Sequence, residues 1–239
     1  RFRNVTGVQT CALPILMEDD LFQMLAGARA VLDRAGCALI GGHSGEGPEM
    51  ALGFSVNGLV DPSRALRKGG LKPGDKIVLT KPLGTGTIFA AAMRGAARGR
   101  WIASALASMC QPLSAPQGAH AGTDVTGFGL AGHLTEMIRA SGPVSVALDL
   151  DALPALDGAV ELLAQGFASS LAPENLRARH LIDGMDRHAH HPKLPLLFDP
   201  QTAGGLLLAV PPDIASRMAG SVIGEVHEAI DPHTLIALI

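Results

Sequence analysis

The chain has 239 residues, 47% of them hydrophobic, which suits a buried core shared by one or two domains. Its 19 basic and 22 acidic side chains give a formal net charge of -3, and no basic block is interleaved with aromatics, which argues against a nucleic-acid partner. No apolar run reaches the roughly 18 to 20 residues needed to cross a bilayer, and Cys11, Cys37 and Cys110 stand in no metal-type spacing, so a reducing compartment, the cytoplasm by default, is expected.

The first fifteen residues show neither helical nor strand periodicity. Their VTGVQTCALPI resembles translated sequencing-adapter read-through, so 1–15 is read as a non-native or disordered tail. No cleavage site follows the apolar CALPILM, which removes a secretory signal and with it any meaning for the sequon at Asn4. From Glu18 to Ala35 the apolar residues Leu21, Met24, Leu25, Ala28, Val31 and Leu32 recur three and four apart, with Gly36 just beyond, and predict an amphipathic helix. Strands are predicted at Cys37 to Ile40, ahead of the loop Gly41-Gly42-His43-Ser44, and over the alternating stretch Leu52 to Val60.

Asp61-Pro62-Ser63 and the charged run Arg64 to Lys72 read as a linker. It separates a domain remnant, 16–68, from a second domain, 69–239. A strand at Ile77 to Thr80, a glycine loop at Lys81 to Gly86 and helices at Ile88 to Ala97 and Ile102 to Met109 follow. Lys81 precedes the glycines, whereas a nucleotide phosphate loop puts its lysine after them, so that motif is not supported. A helix carrying Leu130, Leu134, Met137 and Ile138 ends at Ser141-Gly142-Pro143. Then come a strand at Val144 to Leu148, a short helix at Ala159 to Ala164, a polar region from Gln165 to His191 and a last strand at Gly205 to Val210. Alternating strands and helices with glycine loops give an α/β (α+β) fold class.

The 29 glycines are most telling in TDVTGFG, Thr123 to Gly129, where Asp124 is the one carboxylate. Glycines let backbone approach a ligand, and the free N–H groups of a helix start attract an anion. A carboxylate held beside phosphates calls for Mg²⁺, a hard cation that prefers oxygen ligands. The competing reading is that Asp124 or Thr123 caps the helix. Gly42, His43 and Ser44 could present N–H and hydroxyl groups to a ligand or form an ordinary turn. Glu46 and Glu49 read as solvated, His188, His190 and His191 as a polar loop, and the cysteines as packing residues, so no catalytic nucleophile stands out.

Three separated motifs, GGHS at 41–44, TDVTGFGLAGH at 123–133 and DPQTAGG at 199–205, resemble those of selenophosphate synthetase, also called selenide, water dikinase. LKPGDKIVLTKPLGTG at 71–86 and IGEV at 223–226 extend the resemblance from Met17 to Val226. It implies the two-domain aminoimidazole ribonucleotide synthetase-like architecture with the N-terminal domain truncated. It further implies a phosphotransferase that makes selenophosphate, phosphate and AMP from ATP, selenide and water with Mg²⁺, in a cytoplasmic homodimer. By the same resemblance Asp124 is a Mg²⁺ ligand, Thr123, Thr126, Gly127 and Gly129 form the loop near the phosphates, and Gly42, His43 and Ser44 belong to the ATP site. The alternatives are another ATP-dependent kinase or synthetase of the same superfamily, or a non-catalytic nucleotide-binding fragment. The family's glycine-rich segment with its reactive Cys or selenocysteine, its lysine and several aspartates has no counterpart before Met17, so inactivity as an isolated fragment is expected. Gln111 to His120 and Ser216 to Ile223 look shorter than the family pattern, and GEGPEMALGFSVNG resembles forms fused to a flavin-dependent oxidoreductase.

Overall fold

The computed structural model describes residues 13–45, 51–229 and 234–239. The readings of Asn4, Cys11, Glu46 and Glu49 lie outside the described residues. The chain divides into two compact units, Arg1–Val60 and Asp61–Ile239.

In the first unit, helix α1 spans Leu13–Arg34, so it begins inside the stretch read as a tail. Its end is closed by a Schellman pair in which the Gly36 N–H donates to the Asp33 carbonyl at 3.2 Å and the Cys37 N–H to Leu32 at 2.9 Å. The strands expected at Cys37 to Ile40 and Leu52 to Val60 are not formed. Alternation supplies a strand with a face, but a strand exists only through a backbone ladder with a neighbour, and these segments have none among the described residues.

The second unit is built on one seven-stranded sheet. Its strands are β1 (Lys76–Leu79), β2 (Ala121–Asp124), β3 (Val144–Leu148), β4 (Ile182–Asp183), β5 (Leu206–Val210), β6 (Ser221–Glu228) and β7 (Ile236–Leu238), in the order β2-β5-β1-β6-β3-β7-β4. The β2/β5, β5/β1, β1/β6 and β6/β3 pairs are antiparallel, and β7 runs parallel to both β3 and β4. Helices α2 (Thr85–Ala92), α3 (Gly99–Met109), α4 (Gly129–Arg139) and α5 (Ala159–Ala164) are joined by two short ones, α6 (Ala172–Asn175) and α7 (Pro212–Ala215).

The period-two geometry of strands divides the core. Ile77, Leu79, Leu207 and Ala209 face a large cluster with Ile88, Trp101, Leu130, Leu134, Met137, Ile138 and Leu162, while Val78, Leu208 and Val210 face a small cluster under Ile214 and Met218. The sequence expected β5 to be the last strand, yet β6 and β7 follow it. The eight-residue β6 was hidden because Gly224 and a register shift opposite Ile77 and Val78 interrupt its alternation. β2 was hidden as well, since AGTD holds no β-branched apolar residue and owes its conformation to β5.

The charged segment read as a linker, Arg64 to Lys72, is part of the second unit. The Arg67 carbonyl accepts the Gly122 N–H at 2.9 Å on the open side of β2, and Lys68 pairs with Glu136 of α4 at 2.7 Å. Ser141 Oγ, donating to the Met137 carbonyl at 2.7 Å, accepts the N–H groups of Gly70 and Leu71. His120 and the buried Asp75, just ahead of β1, meet at 2.9 Å at the entrance of β2.

Candidate functional site

Thr123 to Gly129 leaves the sheet at the end of β2 and enters α4. Ladder bonds to β5 set Thr123 and Asp124 opposite Leu207 and Leu206, and the Val125 N–H continues the pairing by donating to the Gly205 carbonyl at 2.8 Å. Asp124 is thus the last strand residue, and its side chain is exposed while its neighbours Thr123 and Val125 are buried. The chain turns at Thr126 to Phe128. The Gly129 N–H donates to the Thr126 carbonyl at 3.1 Å, and Gly129 itself takes φ +69, where an added Cβ would lie 2.9 Å from the Leu197 carbonyl oxygen.

The capping alternative fails on this geometry. The N-cap position of α4 is Phe128, with no side-chain cap bond, so neither Asp124 nor Thr123 serves as one. The side-chain contact of Asp124 is a long one, 3.5 Å from Thr123 Oγ1. The carboxylate is therefore free to meet a ligand. Gly127 is open as well, with nothing within 4 Å of where a Cβ would stand, whereas its carbonyl is held by Asn175 Nδ2 at 2.8 Å. The Gln201 N–H donates to the Thr126 carbonyl at 2.9 Å, and His133 Nε2 accepts the Thr126 N–H at 3.0 Å. Burial lowers the His133 pKa against the opposing pull of Glu136 and Asp124, which favours a neutral imidazole.

A second loop, Asp199 to Gly205, leads into β5, braces the first through the Gln201 N–H, and covers the N-terminus of α2. Asp199 Oδ1 accepts the Thr87 hydroxyl at 2.8 Å, and Gln201 Oε1 accepts the N–H groups of Gly84 and Thr85 at 3.1 and 3.3 Å. These acceptors take up the N–H groups at the N-terminus of α2, which are therefore not free for an anion. The structural order strand, glycine loop, helix is present here, yet its N–H groups are spent internally. Burial raises the Asp199 pKa to about 6, and the hydrogen bonds from Thr87, Gln201 and Gly86 hold it from going higher. Lys81, also buried, donates to the Ala203 carbonyl at 3.1 Å, and desolvation lowers its pKa.

The structure brings Thr123, Asp124, Thr126, Gly127 and Gly129 together in this one loop. Gly42, His43 and Ser44 lie in the first unit, all exposed and without regular structure. His191 pairs with Asp151 at 3.1 Å, and among the described residues no group of three His, Cys, Asp or Glu side chains could hold a metal. Asp124 fits a cation only as a single ligand. That is the usual manner of Mg²⁺, which takes one or two carboxylates and fills its remaining positions with phosphate oxygens and water. The sequence motif DPQTAGG assigns no role to Asp199 and Gln201, and neither Asn175 nor the His133 contact stands out in the sequence. A histidine seven residues after Thr126 on the first turns of α4 was the readable signal, because helix side chains lean towards the N-terminus; nothing near Asn175 marked it.

Among the described residues no helix is long and apolar enough to cross a membrane. Residues 72–229 match the family described as AIR synthase related protein, C-terminal domain. A selenide, water dikinase of Nitratidesulfovibrio vulgaris (strain Miyazaki F) is 44% identical over 227 residues, covering 87% of this chain and 63% of the relative. One from Citrifermentans bemidjiense is 38% identical over 242 residues, covering 95% of this chain and 68% of the relative. The chain thus spans about two thirds of the length of these relatives. Among solved structures, E. coli HypE, a hydrogenase maturation protein, aligns with a TM-score of 0.47 at 20% identity over 72% of this chain and 48% of that one. The chain belongs to the selenide, water dikinase family of AIR synthase related proteins.

Proposed function

We propose that the chain takes part in selenophosphate synthesis, in which ATP, selenide and water give selenophosphate, phosphate and AMP. The observation that carries this reading is Asp124: an exposed carboxylate at a strand end, unused by the fold, beside an open glycine in the TDVTGFG loop. Mg²⁺, when bound, would supply neutralising charge to the phosphate oxygens, and Asp124 would hold it on the protein side. Thr123, Thr126, Gly127 and Gly129 would line the phosphates, with the Gly127 backbone close to them because no side chain intervenes. Gly42, His43 and Ser44 would contribute to the nucleotide site, completed in a cytoplasmic homodimer. Phosphoryl transfer depends chiefly on positioning and charge neutralisation, and the chain's share is a rigid loop braced by Gln201, Asn175 and His133.

Residues 16–68 would belong to an ATP-binding domain and 69–239 to a C-terminal α/β domain. One carboxylate cannot organise a polyphosphate, so the 239 residues alone should show no turnover. Joined to the N-terminal segment of a selenide, water dikinase, the chain should form AMP and phosphate from ATP only when selenide is present, as followed by ³¹P NMR. AMP formation that ignores selenide, or phosphorylation of thiamine phosphate in its place, would assign the chain to another activity of the superfamily.

A further inference from the structure

We propose that His133 is the positioning residue of the Thr123–Gly129 loop: its neutral imidazole accepts the Thr126 N–H and fixes the backbone on which Asp124 and Gly127 stand. The importance of that loop rests on the function proposed above, whereas the contact itself does not.

His133 lies in the second turn of α4, is 5% exposed, and reaches back over the loop. Its Nε2 is 3.0 Å from the Thr126 nitrogen and 3.2 Å from Thr126 Oγ1. An imidazole nitrogen that accepts a backbone N–H carries no proton, so in the neutral ring the proton sits on Nδ1. That atom is buried and has no hydrogen-bond partner; Glu136 Oε2 is 3.6 Å away and engaged with Lys68 at 2.7 Å. Glu136, His133 and the Thr126 hydroxyl lie in the order of a carboxylate–imidazole–hydroxyl relay. The amide of Thr126 claims the same lone pair, however, so the imidazole acts as an acceptor for the backbone and not as a base for the hydroxyl. The Phe128 ring, its centroid 5.6 Å from that of His133, packs beside the imidazole.

On its other side the Thr126 peptide is held through its carbonyl, which accepts from Gln201 and Gly129. With both the N–H and the carbonyl of Thr126 engaged, the peptide planes flanking it cannot rotate, and the strand end at Asp124 inherits that order. Without an acceptor at Nε2 the Thr126 N–H would be left unpaired, and this plane would be released.

The test is amide hydrogen exchange by NMR on the 239-residue chain, comparing wild type with His133→Gln, whose Oε1 can accept the same N–H, and His133→Phe, which fills the space without an acceptor. Thr126 exchange should be roughly tenfold faster in His133→Phe, the scale expected when a buried N–H is left without its partner. In His133→Gln it should return to within about threefold of wild type. Equal exchange in wild type and His133→Phe, or exchange in His133→Gln as fast as in His133→Phe, would overturn the proposal. Should His133→Phe fail to fold, ¹⁵N chemical shifts of the wild-type imidazole decide: protonated Nδ1 with bare Nε2 supports the assignment, and a proton on Nε2 refutes it. If His133 protects Thr126 as expected while ATP with Mg²⁺ leaves the Thr126 and Gly127 signals unmoved in the chain joined to its N-terminal segment, the functional reading falls and the His133 assignment stands.

Discussion

Raising the pH from about 4 to 7 should cost the fold roughly 2 kcal/mol through Asp199 alone. The carboxyl is 1% exposed, and burial lifts its folded pKa from 3.8 to about 6. Between those two values the folded state binds a proton that the unfolded state has released, so stability falls as the pH rises. The contribution is fully present below the unfolded pKa and is gone above the folded one. Asp199→Asn keeps an oxygen for the Thr87 hydroxyl but does not titrate, although its amide would face the Gln201 amide that donates at 2.9 Å. It should therefore be less stable than wild type at pH 4, with the gap closing by about 2 kcal/mol towards pH 7. Urea unfolding of both proteins across this range measures it. A gap independent of pH would mean that Asp199 keeps its ordinary pKa.

Asp124→Asn should lower selenide-dependent AMP formation by at least roughly a hundredfold, the scale seen when one electrostatic group at a transition state is removed. The assay requires the chain joined to the N-terminal segment described above. Stability should hardly change, since Asp124 is exposed, caps no helix and makes no ion pair among the described residues. Asparagine preserves size and hydrogen bonding while removing the charge a hard cation needs. This separates a metal role from a structural one: a loss of activity accompanied by a large drop in melting temperature would speak for structure, and unchanged activity would deny Asp124 any role at the phosphates.

Elements bounded by their own chemistry were legible. The strand Val144–Leu148 and the helix Ala159–Ala164 were read with their observed ends, because Gly142-Pro143 and Gly158 punctuate them and their apolar positions keep period. Elements made by their neighbours were not: AGTD becomes β2 only beside β5, and β6 reads as a strand only when its shifted register with β1 is known. The opposite error arose at Leu52 to Val60, where alternation alone implied a strand that lacks a ladder among the described residues. At the site the same division holds. Asp124 and its glycines could be named because they are adjacent in sequence, and the family resemblance gave them a role. Asn175, which holds the Gly127 carbonyl from 48 residues away, could not be found without the fold.

The central claim is that this loop carries a metal-bound phosphate. It is tested most directly by Mn²⁺, a paramagnetic stand-in for Mg²⁺, added with ATP to the joined protein labelled with ¹⁵N at Thr126 and Gly127. Both amide signals should broaden only when Mn²⁺ and ATP are present together, and the broadening should disappear in Asp124→Asn. Sharp Thr126 and Gly127 signals in wild type under conditions where ATP is bound, or equal broadening with and without the Asp124 carboxylate, would contradict it.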